Sequence, residues 1–357
     1  MASQIDQPTD RDPGLAATGS GRFRAGGSDQ RLTDLKYRWP ARYRASWAAL
    51  LLVVLGAAVF SRSALGGPSI ALVTALAGVL AIAAFGQALI VMTGAIDLSI
   101  SAIVSVGAGI VVHYAADTNV WVLVLVSLCV CVLLSLVNGV LIVILGLNAL
   151  IVTLATVGIL IGLIQLWTGV ALSSTGRTPQ TLVDIAQSDV LNINAVFIAA
   201  VIIAVALATF LNKTRLGKSI GFAGSNPRAA HMLGIRVKAV KLMAFAFAGL
   251  LYGAAGVLLA GFVGSPDVLS GNAYQLLAIT VAGVAGLLFT GGPGSISSVV
   301  SACLFLVLLD QVLSVQGMSS GTRVVVQGLV LAVAVSAITI GQKGASSLGK
   351  FRIRRST

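Results

Sequence analysis

Two carboxylates stand within apolar stretches of this chain, Asp97 and Asp310. In a lipid-like medium a carboxylate costs several kcal/mol unless it pairs, faces a cavity or is neutral, so each is a candidate for chemistry. Asp310 lies beside Gln311, and Arg323 follows after a short loop as a partner; a structural pair and a solute contact both fit. Asp97 follows Thr93-Gly94-Ala95-Ile96 and precedes Leu98-Ser99. Such a cluster can break a helix inside a membrane, and broken helices line cavities. The favoured local structure is a turn in which Asp97 caps the next helix, with Asp97 and Ser99 still able to line a path. The neutral groups Gln87, Asn138, Thr153, Thr156 and Gln165 suit a hydrogen-bonding path for an uncharged hydroxylated solute, or they join helices to one another.

Other chemistries find little support. All eleven acids are aspartate, which leaves few residues for carboxylate catalysis. Cys129, Cys131 and Cys303 sit in apolar runs without zinc or redox spacing and read as packing residues. His113 and His231 have no partner at ligand spacing, so no metal is expected. Leu216-Gly217-Lys218-Ser219 resembles the end of a phosphate loop, but the required earlier glycine is Asn212 and a membrane span precedes it. Gly217 reads as a turn, and the chain is expected to hold no cofactor and no ATP site. An enzyme is not expected.

A basic loop carries a second candidate site, GSNPRAAHMLGI, Gly224 to Ile235. Asn226 is a good N-cap and Pro227 fits the first helical position. Ala229, Ala230, Met232 and Leu233 favour a short helix that Gly234 can end. Its apolar side, with Ala229, Ala230 and Leu233, suits either a partner protein or the membrane surface.

The elements that must hold these residues are membrane helices. Of 357 residues 57% are hydrophobic and only 10% charged, against about 25% charged in soluble domains, so lipid must be the main solvent. Mean hydropathy is +1.00. The expected class is an all-α integral membrane protein with about ten transmembrane helices. The segments are 46–61, 68–92, 97–115, 120–145, 149–170, 192–211, 242–262, 275–290, 296–315 and 323–341. Residues 1–44 read as a disordered basic tail, 45–341 as the membrane domain and 342–357 as a second basic tail.

Charge orients the chain. Basic residues concentrate before Ala45, between Lys213 and Lys241, and after Lys343; Arg62, Arg177 and Arg323 fall on the opposite side. By the positive-inside rule both tails and the basic loop are cytoplasmic. The net charge of +12 follows from this topology and calls for no nucleic acid.

Several motifs together resemble one family. An Ala-Ala pair followed by Gly in a cytoplasmic loop resembles the coupling-helix motif of ATP-binding-cassette importer permeases. Thr214 to Ile235 is similar to the ribose-type (monosaccharide) permease family. So are FGQALIVMTGAIDLSI (Phe85 to Ile100), Asn138-Gly139 with ALIVTLAT (Ala149 to Thr156), and TGGPGS (Thr290 to Ser295), in the same order along residues 70–338. The chain departs from the family at Arg228 and Gln275, where acids are usual, at Ala149-Leu150, and at Leu287-Leu288.

The resemblance implies a permease subunit for a sugar or similar small polar solute in a bacterial inner membrane. A second permease copy, two ATPase subunits that use the ATP, and an extracytoplasmic solute-binding protein would complete it. Asn226, Pro227, Arg228, Ala229, Ala230, Leu233 and Gly234 would form the ATPase-coupling element. Gln87, Asp97, Ser99, Asn138, Thr153, Thr156 and Asp310 would border the path. An ion-coupled secondary transporter is the alternative, with Asp97 and Asp310 as its only membrane carboxylates.

Overall fold

The structure, a computed structural model, describes residues 41–116, 118–168, 176–334 and 336. The expectations for residues 1–40 and 337–357 lie outside the described residues. In chain order the helices are α1 (Ala41–Phe60), α2 (Gly67–Met92), α3 (Ile100–His113), α4 (Val120–Val143) and α5 (Ala149–Thr168). Then come α6 (Gln180–Gln187), strands β1 (Asp189–Val190) and β2 (Ile193–Asn194), α7 (Ala195–Lys213), α8 (Arg215–Ser225) and α9 (Pro227–Met232). The chain continues through α10 (Val237–Val263), α11 (Asn272–Val284), α12 (Ile296–Val315) and α13 (Ser320–Ala334).

Seven of the described helices are long and apolar enough to cross a membrane: α1, α2, α4, α5, α7, α10 and α12. Three more, α3, α11 and α13, are apolar but shorter. Each expected segment meets one of these ten helices, but with shifted ends. α1 opens at Ala41, inside the expected tail. α3 begins at Ile100 because Thr93–Ser99 forms a turn, and α11 stops at Val284 because the Gly- and Pro-containing run before Ile296 does not propagate a helix.

A helix apolar on every side belongs in the centre. Accordingly α2 is buried from Ala77 to Met92 and α3 from Ile100 to Val112. α10 packs against both and against α4 through its small residues. Gly249 meets the Cys131 carbonyl and the Ser135 side chain, Gly253 meets Cys131, and Gly256 meets the Val104 carbonyl. Ser135 Oγ adds a hydrogen bond to the Phe245 carbonyl at 2.7 Å. α4, α5 and α7 instead expose Leu125, Leu133, Leu154, Ile159, Ile202 and Val205, an apolar rim that fits lipid. α1 is tied to α12 by the Ser301 hydroxyl, which donates to Ser46 Oγ at 2.7 Å.

One element departs from the all-α expectation. β1 and β2 pair antiparallel around Leu191 and Asn192, whose φ values of 56° and 63° suit a two-residue hairpin turn. Asn194 then caps α7, its side chain accepting from the Val196 N–H at 2.9 Å. The strands span two residues each, too few for alternation to register.

Candidate functional site

The loop between α7 and α10 carries a short capped helix. Asn226 is extended (φ −152°), and its side chain accepts from the Ala229 N–H at 3.0 Å, with Pro227 in the first turn. At the other end Gly234 has φ +77°, and the Gly234 and Ile235 N–H groups donate to the carbonyls of His231 and Ala230. Cap, helix and glycine stop thus lie where the residue types predict.

The faces differ from expectation. Ala230 is 2% exposed and packs inward on this chain, so it cannot sit in a partner's groove. Ala229 points outward, and the large exposed apolar groups are Met232 at 88% and Leu233 at 73%. A six-residue helix is too short for its periodicity to say which side meets its own bundle. Arg215, Lys218, Arg228, Arg236 and Lys238 are exposed around it.

α8 was not expected. Thr214 Oγ1 caps it by accepting from the Gly217 N–H at 3.0 Å, so Gly217 is helical rather than a turn, and its bare Cα packs on the Phe210 carbonyl. Leu216 and Phe222 are exposed on α8, whereas Ile220 and Ala223 are buried. This apolar spacing was the available signal. At its end Gly224 packs without a side chain on the Met92 carbonyl, which also accepts from the Gly292 N–H at 2.9 Å.

Four of the seven path candidates meet in one buried relay. Thr156 Oγ1 donates to Asn138 Oδ1 at 2.6 Å, and Asn138 Nδ2 donates to Ser99 Oγ at 2.9 Å. The Ser99 hydroxyl donates to Asp97 Oδ1, which also accepts from the Ser99 N–H at 2.8 Å. Ser99, not Asp97, holds the N-cap position of α3; Asp97 makes the turn two residues earlier. Asp97, Ser99 and Asn138 are each at most 1% exposed, and Asp97 Oδ2 has no partner among the described residues. The relay joins the α2–α3 turn to α4 and α5, with Asp97, Ser99 and Asn138 buried and Thr156 half-buried at its end.

The other three stand apart. Gln87 accepts from the Tyr252 hydroxyl at 3.1 Å, a second buried link, between α2 and α10. Thr153 bonds the Ala149 carbonyl of its own helix. Asp310 accepts from Arg323 Nη1 at 2.7 Å, the partner named from the sequence, and from Gln327 Nε2 at 3.1 Å. This last group borders a cavity, of about 540 Å³, between α2, α11, α12 and α13. Gln275, where an acid is usual, accepts from the Ser101 hydroxyl at 3.1 Å.

Among the described residues, seven helices long enough to span a membrane and three shorter apolar ones form an all-α multi-pass membrane protein. Residues 69–335 match the family described as branched-chain amino acid transport system, permease component, and the chain belongs to that family. It is similar to the autoinducer 2 import system permease protein LsrC of Escherichia coli O157:H7, at 29% identity over 80% of this chain and 82% of the relative. The same protein of Shigella flexneri is 29% identical over the same shares, and that of Salmonella typhi 28% over 79% and 80%. No solved structure matches. The resemblance to importer permeases is borne out, and the ion-coupled alternative finds no support in these relatives.

Proposed function

We propose that the chain is the translocation subunit of an ATP-binding-cassette importer for a sugar or sugar-like uncharged solute. Family membership and the outward Met232–Leu233 pair carry this reading. Two large apolar groups at the end of a capped helix, in a loop with exposed basic side chains, have no cover among the described residues, and a groove on a separate ATPase would bury them. The relatives named for autoinducer 2 import, and the monosaccharide-permease motifs, support the solute class.

In this reading all ten apolar helices count as spans. α3 and α11 are short because each is continued by a turn inside the bundle. The clustering of basic residues supports a cytoplasmic place for the α7–α10 loop and for both termini. A second permease copy, two ATPase subunits and an extracytoplasmic binding protein complete the assembly, with ATP held by the partner and no cofactor in this chain. Asn226, Pro227 and Gly234 shape the coupling element, Arg228 and Ala229 border it, and Leu233 with Met232 makes the contact.

Reconstitution tests this. Vesicles holding the permease with its ATPase and binding protein should accumulate a labelled sugar from a panel only when ATP is supplied. Accumulation driven by an ion gradient with the ATPase left out would overturn the reading.

A further inference from the structure

We propose that the cavity beneath α13 is a solute site of the translocation path, and that its ligand is an uncharged, polyhydroxylated molecule. This assignment rests on the importer reading given above. At about 540 Å³ the cavity falls within the range of small-molecule sites, about 300–1,000 Å³.

Its polar wall is electrically balanced. Asp310 is held by Arg323 and Gln327, and Arg323 Nη2 reaches Ser320 Oγ at 3.3 Å. Arg323 Nε is buried with no partner among the described residues, and Asn272 and Tyr274 also line the space. A charged solute would bring an uncompensated charge into this low-dielectric setting. A zwitterion would have to split the Asp310–Arg323 pair to satisfy its own ends. Hydroxyl groups both donate and accept, so a polyol can donate to the carboxylate and accept from the guanidinium while the pair stays intact. Leu80, Leu277 and Val307 line the remaining wall and suit the C–H face of such a ring.

The backbone points to the same place. α11 starts inside the bundle: the Gly271 N–H donates to Ser105 Oγ at 3.2 Å, and Ser105 is in the second turn of α3. The first turn of α11 lies along the cavity through Asn272 and Tyr274, whose own N–H groups donate to the Leu269 and Gly271 carbonyls, so it is their side chains that face the space. A helix that begins within a membrane bundle is tolerated where it borders such a space.

Cysteine protection in the complete assembly tests the site. Asn272→Cys and Ser320→Cys, on opposite walls, are made separately with Cys129→Ser, since Cys131 and Cys303 are buried. Each assembly is treated in vesicles with a charged, water-soluble methanethiosulfonate. The additions are a saturating mixture of D-ribose, D-xylose, D-galactose and D-glucose, or L-leucine. Labelling should occur at both positions and slow severalfold with the sugars, but not with L-leucine. Absence of labelling, labelling indifferent to the sugars, or protection by L-leucine instead would each overturn the assignment. ATP-dependent sugar uptake by the wild-type assembly in the same vesicles is read in parallel. Uptake retained with unprotected cysteines removes the cavity alone, whereas uptake independent of ATP removes the importer reading.

Discussion

The Asn138 amide donates to the Ser99 hydroxyl across 2.9 Å, so a side chain in the middle of the bundle fixes the turn from which α3 departs. With Thr156 on its other end, Asn138 joins three helices. Asn138→Val should lower the thermal stability of the purified permease by about 1–3 kcal/mol, the cost of leaving buried partners unpaired. Thr153→Val, whose hydroxyl bonds only its own helix, should stay within about 0.5 kcal/mol. Equal effects in a thermal-shift assay would show that the relay does not couple the helices.

Substitutions in and beside α9 should separate folding from the proposed coupling. Ala230→Glu places a charge against the chain's own core and should reduce folded yield. Met232→Glu and Leu233→Glu alter exposed positions; both should insert at wild-type level yet lose ATPase co-purification and uptake. Normal co-purification of both would mean that the ATPase docks elsewhere.

Gly234→Val forces a β-branched residue to φ +77°, a strain of about 1–3 kcal/mol. It should weaken the turn back to α10 and reduce uptake, whereas Gly234→Asn should retain most of it. Equal uptake by the two variants would remove the conformational argument.

For the Asp310–Arg323 pair, Asp310→Asn and Arg323→Gln should each lower thermal stability, and the double change by less than the sum. The coupling should be on the order of 1 kcal/mol, held down because the Asp310 side chain is 34% exposed. Strict additivity would show an ion pair without energetic consequence.

Orientation can be read by labelling intact cells. A cysteine at Ser188, exposed after α6, should react with an impermeant reagent from outside, and one at Ser225 should not. Reaction at Ser225 would invert the topology.

Much of this was legible because membrane helices announce themselves by apolar length. The segments at 68–92 and 296–315 match α2 and α12 to within a residue. Asn226, Pro227 and Gly234 were legible because caps depend on local backbone chemistry. Ala230 was not, because its burial is decided by α8 and α10, which the six-residue pattern does not contain. The polar residues of the relay could be picked out singly, as costly groups in apolar runs. That Asn138 reaches Ser99 depends on how α4 crosses α3, a tertiary fact. Of the cavity's lining, Asp310 and Arg323 were legible in the sequence, whereas Asn272 and Gln327 gain meaning only when α11 and α13 pack beside α12.

The carbonyl of Met92 has a mechanical consequence. Gly224, at the end of α8, rests on it directly, and Gly292 donates to it from the run before α12. Three segments far apart in sequence therefore meet main chain to main chain, with no rotatable side chain between them to absorb a shift. In the proposed importer a load on the short helix would pass into the end of α2 and the run leading to α12, two of the four helices around the cavity. If an ATPase loads the short helix, such a joint acts as a rigid knuckle, and the stroke delivered inside the membrane should scale with the displacement imposed at its edge.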